Sequence, residues 1–338
     1  MSSLSNSNSL NCCFNVVSWN VRGLSDSDKC KVVRNVFSDA KPSIICIQES
    51  KLALLNNFKS KTFLPQPFSS SYVYSPADGS RGGLITAWDP TLFSLISQHS
   101  NPYSLTTKFA CNASDHDLQI TNVYGPADHS FSNLFLDSLC VVHQHISGPW
   151  ILIGDFNLVR SAGDKSNGQF NAALANTFNN TILQILVTET PLSDKRFTWS
   201  NMQAFPILAR LDHAFTNVAL DQAFPLTSLS SLPRPTSDHT PILLSLSSTI
   251  PKPNSFRLDN YLLKNNSFLA SIVHGWQQAP ACSDAAGKLV ACIKAARAAT
   301  KVWKRRFRAP PQIIHNCLFI IKLFDYFEDF RSLSTSEF

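Results

Sequence analysis

At 338 residues, with 44% hydrophobic and 15% charged residues, the chain has ample material for a core and does not have the composition of a disordered protein. No apolar run approaches the roughly 20 residues that span a bilayer, so no membrane-embedded segment is expected. The net charge of +6 is unevenly spread: residues 251–338 carry 13 Lys/Arg against 6 Asp/Glu, whereas residues 1–250 carry 16 against 17.

The Ser/Asn-rich start lacks a basic segment followed by an apolar one, so residues 1–13 are expected to be a short disordered lead and not a secretory signal. Residues 14–19 and 43–48 are apolar runs that predict buried strands, separated by a helical pattern over 29–37. Further strands are expected over 82–88, 106–111, 118–124, 150–153, 196–199, 211–216 and 241–246, with helices over 131–145 and 171–187. Strands outnumber helices and many connections are too short for helical crossovers. The expected class is therefore α+β, with largely antiparallel, stacked sheets over residues 14–250. Pro251-Lys252-Pro253-Asn254 marks a boundary, and helices are expected over 259–276 and 284–330, interrupted at Pro310-Pro311. That second part, residues 251–338, shows no evident core of its own. The nine cysteines include no CxxC pair and sit mostly among apolar neighbours, which suits buried free thiols in a reducing compartment.

The candidate chemistry lies at strand ends. Asn20 follows Val16-Val17-Ser18-Trp19, Glu49 follows Ile44 to Gln48, and Tyr124 closes Ile120 to Val123. Asp155 and Asn157 follow Ile151-Leu152-Ile153-Gly154; at positions i and i+2 of an extended segment both side chains would face one site. Asp212 lies in Arg210-Leu211-Asp212-His213, and Ser237-Asp238-His239 precedes the last strand. Each has a plainer structural reading when taken singly. Asn20 is a turn former, Glu49 a solvated carboxylate, Tyr124 a core-edge aromatic, Ser237-Asp238-His239 a cap or turn, and His213 a structural histidine. Together the carboxylates, amides and one His form an oxygen-rich set suited to Mg²⁺ or Mn²⁺ and not to Zn²⁺. Phosphodiester cleavage needs such an ion, a group that orients water, and a donor to the developing charge.

The phrases Ser18 to Leu24, Ile47 to Ser50, Asn122 to Pro126, Gly154 to Asn157, Arg210 to Asp212 and Ser237 to His239 run in family order. They resemble the endonuclease/exonuclease/phosphatase superfamily, the fold of apurinic endonucleases and DNase I. The nearest likeness is to the endonuclease domain of plant LINE-type non-LTR retrotransposons, with Arg81 to Leu84 and Phe197 to Ser200 as supporting phrases. The resemblance implies a four-layer α/β/β/α sandwich with a C-terminal helical extension, acting as a DNA-nicking endonuclease that leaves 3′-hydroxyl and 5′-phosphate ends. It implies Glu49 as the principal ligand of Mg²⁺ or Mn²⁺, with Asn20 and Asp238 nearby. Asp155 would orient or deprotonate water, helped by Asn157; His239, paired with Asp212, and Tyr124 would contact the phosphate. One departure is Arg22, where apurinic endonucleases usually carry an Asp; LINE-type relatives vary there, so Arg22 reads as a subfamily feature, one that would weaken a second metal position and counts against abasic-site repair. Rival readings are a phosphomonoesterase or inositol-phosphate phosphatase of the same superfamily, and an inactive nucleic-acid-binding remnant.

Residues 301–308 interleave aromatics with five basic residues, a pattern that suits either a grip on a phosphate backbone or a solvated amphipathic helix. Phe256-Arg257-Leu258 and Leu333 to Glu337 resemble the lead-in to a reverse transcriptase in retrotransposon polyproteins. The chain is thus expected to be a truncated or domesticated reading frame. DNA is the expected partner and the nucleus the expected compartment, although Lys304-Arg305-Arg306 is too short to stand as a nuclear signal.

Overall fold

The computed structural model describes residues 13–79, 81–112, 117–248, 265–281 and 285–305. They fall into two compact units, divided between residues 251 and 252. In chain order the first unit runs through β1 (Cys13–Asn20), α1 (Ser27–Ala40), β2 (Ile44–Gln48), α2 (Asn57–Phe63), β3 (Tyr72–Asp78), β4 (Arg81–Trp88), β5 (Phe93–Asn101), β6 (Ser104–Cys111) and β7 (Asp117–Tyr124). It continues through α3 (Ser132–His143), β8 (Trp150–Asp155), α4 (Ala172–Gln184), β9 (Val187–Glu189), β10 (Trp199–Ser200), β11 (Leu208–Ala209), β12 (Asp212–Asn217), α5 (Val218–Ala223), β13 (Ser228–Ser231) and β14 (Ile242–Ser247).

Two six-stranded sheets result, in the orders β13-β14-β1-β2-β4-β3 and β5-β6-β7-β8-β12-β9. Each has one parallel pair at its centre, β1/β2 joined through α1 and β7/β8 joined through α3, and antiparallel neighbours elsewhere. The strand period of two divides the side chains between layers. Val16, Ile44, Cys46, Ile151, Ile153, Ile242 and Leu244 fill one core together with Phe14, Phe93 and Phe109, residues drawn from both sheets. Their alternates Val17, Trp19, Ile45 and Ile47 pack instead with Val33 and Phe37 of α1 and Phe63 of α2. On the second sheet Trp150, Leu152 and Phe215 pack with Phe135 and Leu139 of α3 and Phe178 and Ile182 of α4. Sheet against sheet, with helices on both outer faces, is the expected four-layer sandwich. Completely buried strands such as Ile44–Gln48 read as continuous apolar runs because both of their faces are covered.

Several local expectations are corrected. Cys13 belongs to β1 and not to a disordered lead. The strand expected over 196–199 shrinks to the two-residue β10, paired with β11. The helix expected over 171–187 ends at Gln184, and Val187 instead opens β9. The described cysteines are free, with Cys30, Cys46, Cys111 and Cys292 buried.

In the second unit α6 (Asn266–Gln277) and α7 (Ala285–Arg305) pack together. The Asn265 side chain accepts from the Ser267 and Phe268 amides and so caps α6. A small core does exist here: the rings of Phe268 and Trp303 meet edge-on, with centroids 4.9 Å apart, and Ile272 packs against them. A Cβ at Gly275 would stand 2.6 Å from that of Ala299, so glycine allows the two helices this close approach. The expectations for residues 1–12, 251–264 and 306–338, including Pro310-Pro311 and the polymerase lead-in phrases, lie outside the described residues.

Candidate active site

The topology brings the candidate residues to one end of the sandwich. Asn20 and Glu49 stand at the C-terminal ends of the parallel strands β1 and β2, and Tyr124 and Asp155 at those of β7 and β8. Strand β12 runs the other way, so its first residue, Asp212, pairs with Asp155. Strand β14 is likewise antiparallel to β1, which puts the preceding Asp238-His239 at the same edge. Beneath the site, in the inter-sheet core, Gln48 Nε2 donates to Asn122 Oδ1 (2.6 Å) and Ser18 Oγ (2.9 Å), while Asn122 Nδ2 donates to the Ile85 carbonyl (3.0 Å). These buried polar groups tie the two sheets together directly under the chemistry.

The centre of the site is Asp155, which is fully buried. Its Oδ2 accepts from Asn20 Nδ2 at 2.8 Å and Asn157 Nδ2 at 3.3 Å, and its Oδ1 accepts from the Asn157 amide at 2.9 Å. Asn157 has φ 51°, so it meets Asp155 through a turn in the left-handed region, not through strand alternation as expected. Gly154, at φ +149°, makes the preceding step possible, since a Cβ there would lie 2.1 Å from the Val123 carbonyl. His239 Nε2 is 3.6 Å from Asp155 Oδ2, and His239 Nδ1 is 2.9 Å from Asp212 Oδ2. The histidine is held on its backbone side as well: Trp19 Nε1 donates to its carbonyl (3.0 Å), and its amide donates to Ser237 Oγ (3.1 Å).

Burial raises the Asp155 pKa above the ordinary carboxylate range, with the nearby His239 cation opposing the rise. For His239, burial opposes the charged form, but Asp212 and Asp155 outweigh it and lift the pKa to about 9. One ligand atom from each of Asp155, Asp212 and His239 lies within 4.8 Å of the others. With Asp212 on the Nδ1 of His239 and Asp155 facing its Nε2, the three side chains form an acid–base cluster.

A second cluster surrounds Glu49, which is only 4% exposed. Its Oε1 accepts from Tyr124 OH (2.7 Å), Arg22 Nη1 (3.0 Å) and Asn20 Nδ2 (3.3 Å), and Lys51 Nζ lies 3.5 Å from its Oε2. Burial alone would raise the Glu49 pKa; the Tyr124 hydrogen bond and the Arg22 charge turn the shift downward. Tyr124 is raised by burial and by the Glu49 charge, so it stays a phenol donor. Asp238 sits across from Glu49, with Oδ1 3.3 Å from Arg22 Nε and Oδ2 accepting from Trp199 Nε1 at 3.1 Å. Glu49, Asp238 and Asn20 are an all-oxygen donor set, and the two carboxylates already converge on one cationic group. The residues therefore fit a hard divalent ion such as Mg²⁺ or Mn²⁺.

All eight candidates thus meet at one site, Asn20 linking the two clusters by donating to both Glu49 and Asp155. His213 does not join it: its Nδ1 is 2.8 Å from Glu189, and its ring lies 5.9 Å from that of Phe178 of α4. Lys51 and the Gln48/Asn122 pair are not among the residues expected here; only Gln48, the one polar residue closing the apolar run of β2, carries a local signal, since β7 also holds Asp117, Gln119 and Thr121. Four of the seven non-glycine residues with positive φ among the described residues (Arg22, Glu49, Lys51 and Asn157) stand at this site. Such strain collects where side chains must be aimed. Beside the site a cavity of about 310 Å³ is lined by Asn157 and His239 together with Trp199, Leu211, Phe170 and Lys165.

The profile described as the Endonuclease/Exonuclease/phosphatase family matches residues 17–239. Among solved structures the fold is similar to the AP endonuclease LMAP of Leishmania major (TM-score 0.55, 15% identity, covering 70% of this chain and 88% of that one). It is similar as well to an AP endonuclease from Archaeoglobus fulgidus (0.54, 16%, covering 68% and 98%). The endonuclease domain of TRAS1, a telomere-specific non-LTR retrotransposon, aligns with TM-score 0.53 and 14% identity, covering 71% of this chain and 100% of that domain. None of the curated protein sequences matches the chain.

Proposed function

Because this chain belongs to the endonuclease/exonuclease/phosphatase family, whose profile spans residues 17–239, we propose that it is a metal-dependent phosphodiesterase that nicks DNA. The observation that carries this reading is Asp155, buried, held by two amide side chains and facing a His239 that is itself anchored on Asp212. A carboxylate whose pKa is raised by burial is suited to take a proton from water near neutral pH. Asn20 and Asn157 hold it in one orientation, and Asn157 lines the adjoining cavity. The His239 imidazolium donates from Nε2 to a phosphoryl oxygen, while its Nδ1–H donates to Asp212, which fixes the ring's orientation and stabilises its charge. Mg²⁺ or Mn²⁺ held by Glu49 with Asn20 and Asp238 would supply charge neutralisation at the phosphoryl oxygens. Tyr124 positions Glu49 in the metal-free protein, and its phenol would be the donor to the same phosphate once an ion occupies Glu49.

A retrotransposon origin is part of the proposal. It is supported by the phrases Ser18 to Leu24 and Phe197 to Ser200, and by a fold shared with a retrotransposon endonuclease domain along that domain's whole length. The domain division at residues 250–251 and a nuclear site of action belong to the same reading. Its test is nicking of supercoiled plasmid in Mg²⁺, with product ends checked by ligation. Wild type should produce ligatable 3′-hydroxyl and 5′-phosphate nicks, while Glu49→Ala and His239→Ala should each lose about 10²-fold or more. Equal rates in all three proteins would sink the assignment.

A further inference from the structure

Arg22 is the residue that the phosphodiester reading leaves unexplained. It stands two positions after Asn20, with φ 53°, in the left-handed region that is costly for a non-glycine residue and that it shares here with Glu49, Lys51 and Asn157. From there one guanidinium reaches both carboxylates of the candidate ion site: Nη1 to Glu49 Oε1 at 3.0 Å and Nε to Asp238 Oδ1 at 3.3 Å. Its own amide donates to Asn20 Oδ1 at 3.1 Å, so all three oxygen-bearing candidates are engaged by this single residue. Lys51 adds a second cation 3.5 Å from the other Glu49 oxygen. The two carboxylates are therefore neutralised before any metal arrives.

We propose that Arg22 is a resident cation of the site, which a divalent ion must displace from Glu49 and Asp238, so that this residue sets the metal affinity. The inference rests on the assignment of Glu49 and Asp238 to metal binding. Two features make displacement feasible. The Arg22 side chain is 46% exposed, so leaving the carboxylates costs little burial, and it already borders the cavity that Asn157 and His239 line. A guanidinium moved to that border is placed to meet a phosphate, where its planar donors suit a bidentate contact. In the resting protein it also prevents two buried or half-buried carboxylates from facing each other unpaired, which would otherwise be costly.

The test is Mn²⁺ binding by calorimetry and by the electron paramagnetic resonance of free Mn²⁺, in full-length protein without nucleic acid. Arg22→Asn keeps a residue that tolerates the left-handed backbone and removes the guanidinium. Its dissociation constant for Mn²⁺ should fall about ten-fold or more below that of wild type. Lys51→Gln, which removes one charge from the same neighbourhood without unbridging the pair, should change it far less. The Arg22→Asn protein should melt below wild type without metal and regain the difference when Mn²⁺ is added. Adding Glu49→Gln to Arg22→Asn should abolish the tight binding. Equal Mn²⁺ affinity in wild type and Arg22→Asn, with Glu49→Gln still weakening both, would overturn the role of Arg22 and leave the metal site standing. An equal gain in Lys51→Gln would overturn it as well, reducing Arg22 to bulk charge. If Glu49→Gln changes nothing, the ion assignment itself fails, and this inference falls with it.

Discussion

His239 owes its charge state to carboxylates that arrive from two strands of the second sheet. Asp212 at the start of β12 and Asp155 at the end of β8 lift its pKa from 6.5 to about 9, against a burial that alone would lower it. A histidine whose folded pKa exceeds its unfolded one stabilises the fold fully below the unfolded value and loses that contribution as pH rises through the folded one. In the metal-free protein, the stability gap between wild type and His239→Gln should therefore be widest below pH 6.5 and should narrow toward pH 9, as measured by urea melts across that range. A gap that widened with pH would contradict the pairing. The identities at this site were legible in the sequence because Asn20, Glu49, Asp155 and His239 sit at the ends of apolar strands, where polar groups need a reason. The contacts were not legible. Nothing local in Ser18 to Leu24 says that Arg22 would reach Glu49, 27 positions away, or that Asn20 would bond Asp155 across the sheets.

At the scale of elements, the short strand β9 has only three residues, yet it closes the second sheet beside β12. Its Glu189 explains how: the side chain meets Arg160, Arg210 at 2.7 Å and His213 Nδ1 at 2.8 Å. This cluster links β9 to the loop after β8 and to the Arg210-Leu211 connection that leads into Asp212. Burial opposes the charge of Glu189, but the His213 hydrogen bond and the two arginines depress its pKa to about 2. A depressed carboxylate stabilises the fold above its unfolded pKa and loses that contribution as pH falls toward the folded one. Glu189→Gln should thus cost on the order of 3 kcal/mol at neutral pH. The cost should shrink between about pH 4.5 and 2, and chemical denaturation at a series of pH values reads it directly. Strands such as Ile44–Gln48 and Trp150–Asp155 were legible because burial on both faces writes a continuous apolar run. Strands β3, β5, β9 and β13 were not. They are the four edge strands of the two sheets, half exposed, with patterns such as the polar Gln98-His99-Ser100 that sequence alone reads as loop.

The whole molecule separates its chemistry from its charge. Every candidate site residue lies in the first unit, whose sequence is nearly neutral, whereas residues 251–338 carry 13 basic against 6 acidic side chains. If the second unit serves as a grip on polyanions, a chain ending at residue 251 should still nick DNA at low salt but bind it more weakly. The slope of log affinity against log salt should then also be shallower, since fewer counterions are released. An unchanged slope would mean that the basic excess is only a solvated surface. Phosphodiester hydrolysis is proposed for the Asp155–His239–Asp212 cluster at the end of the two sheets. Its most direct test is the Mg²⁺-dependent nicking rate of Asp155→Asn, a change of one oxygen to one nitrogen at a fully buried position. The rate should fall about 10³-fold with the fold retained by circular dichroism; a folded variant as fast as wild type would rule out Asp155 as the group that activates water.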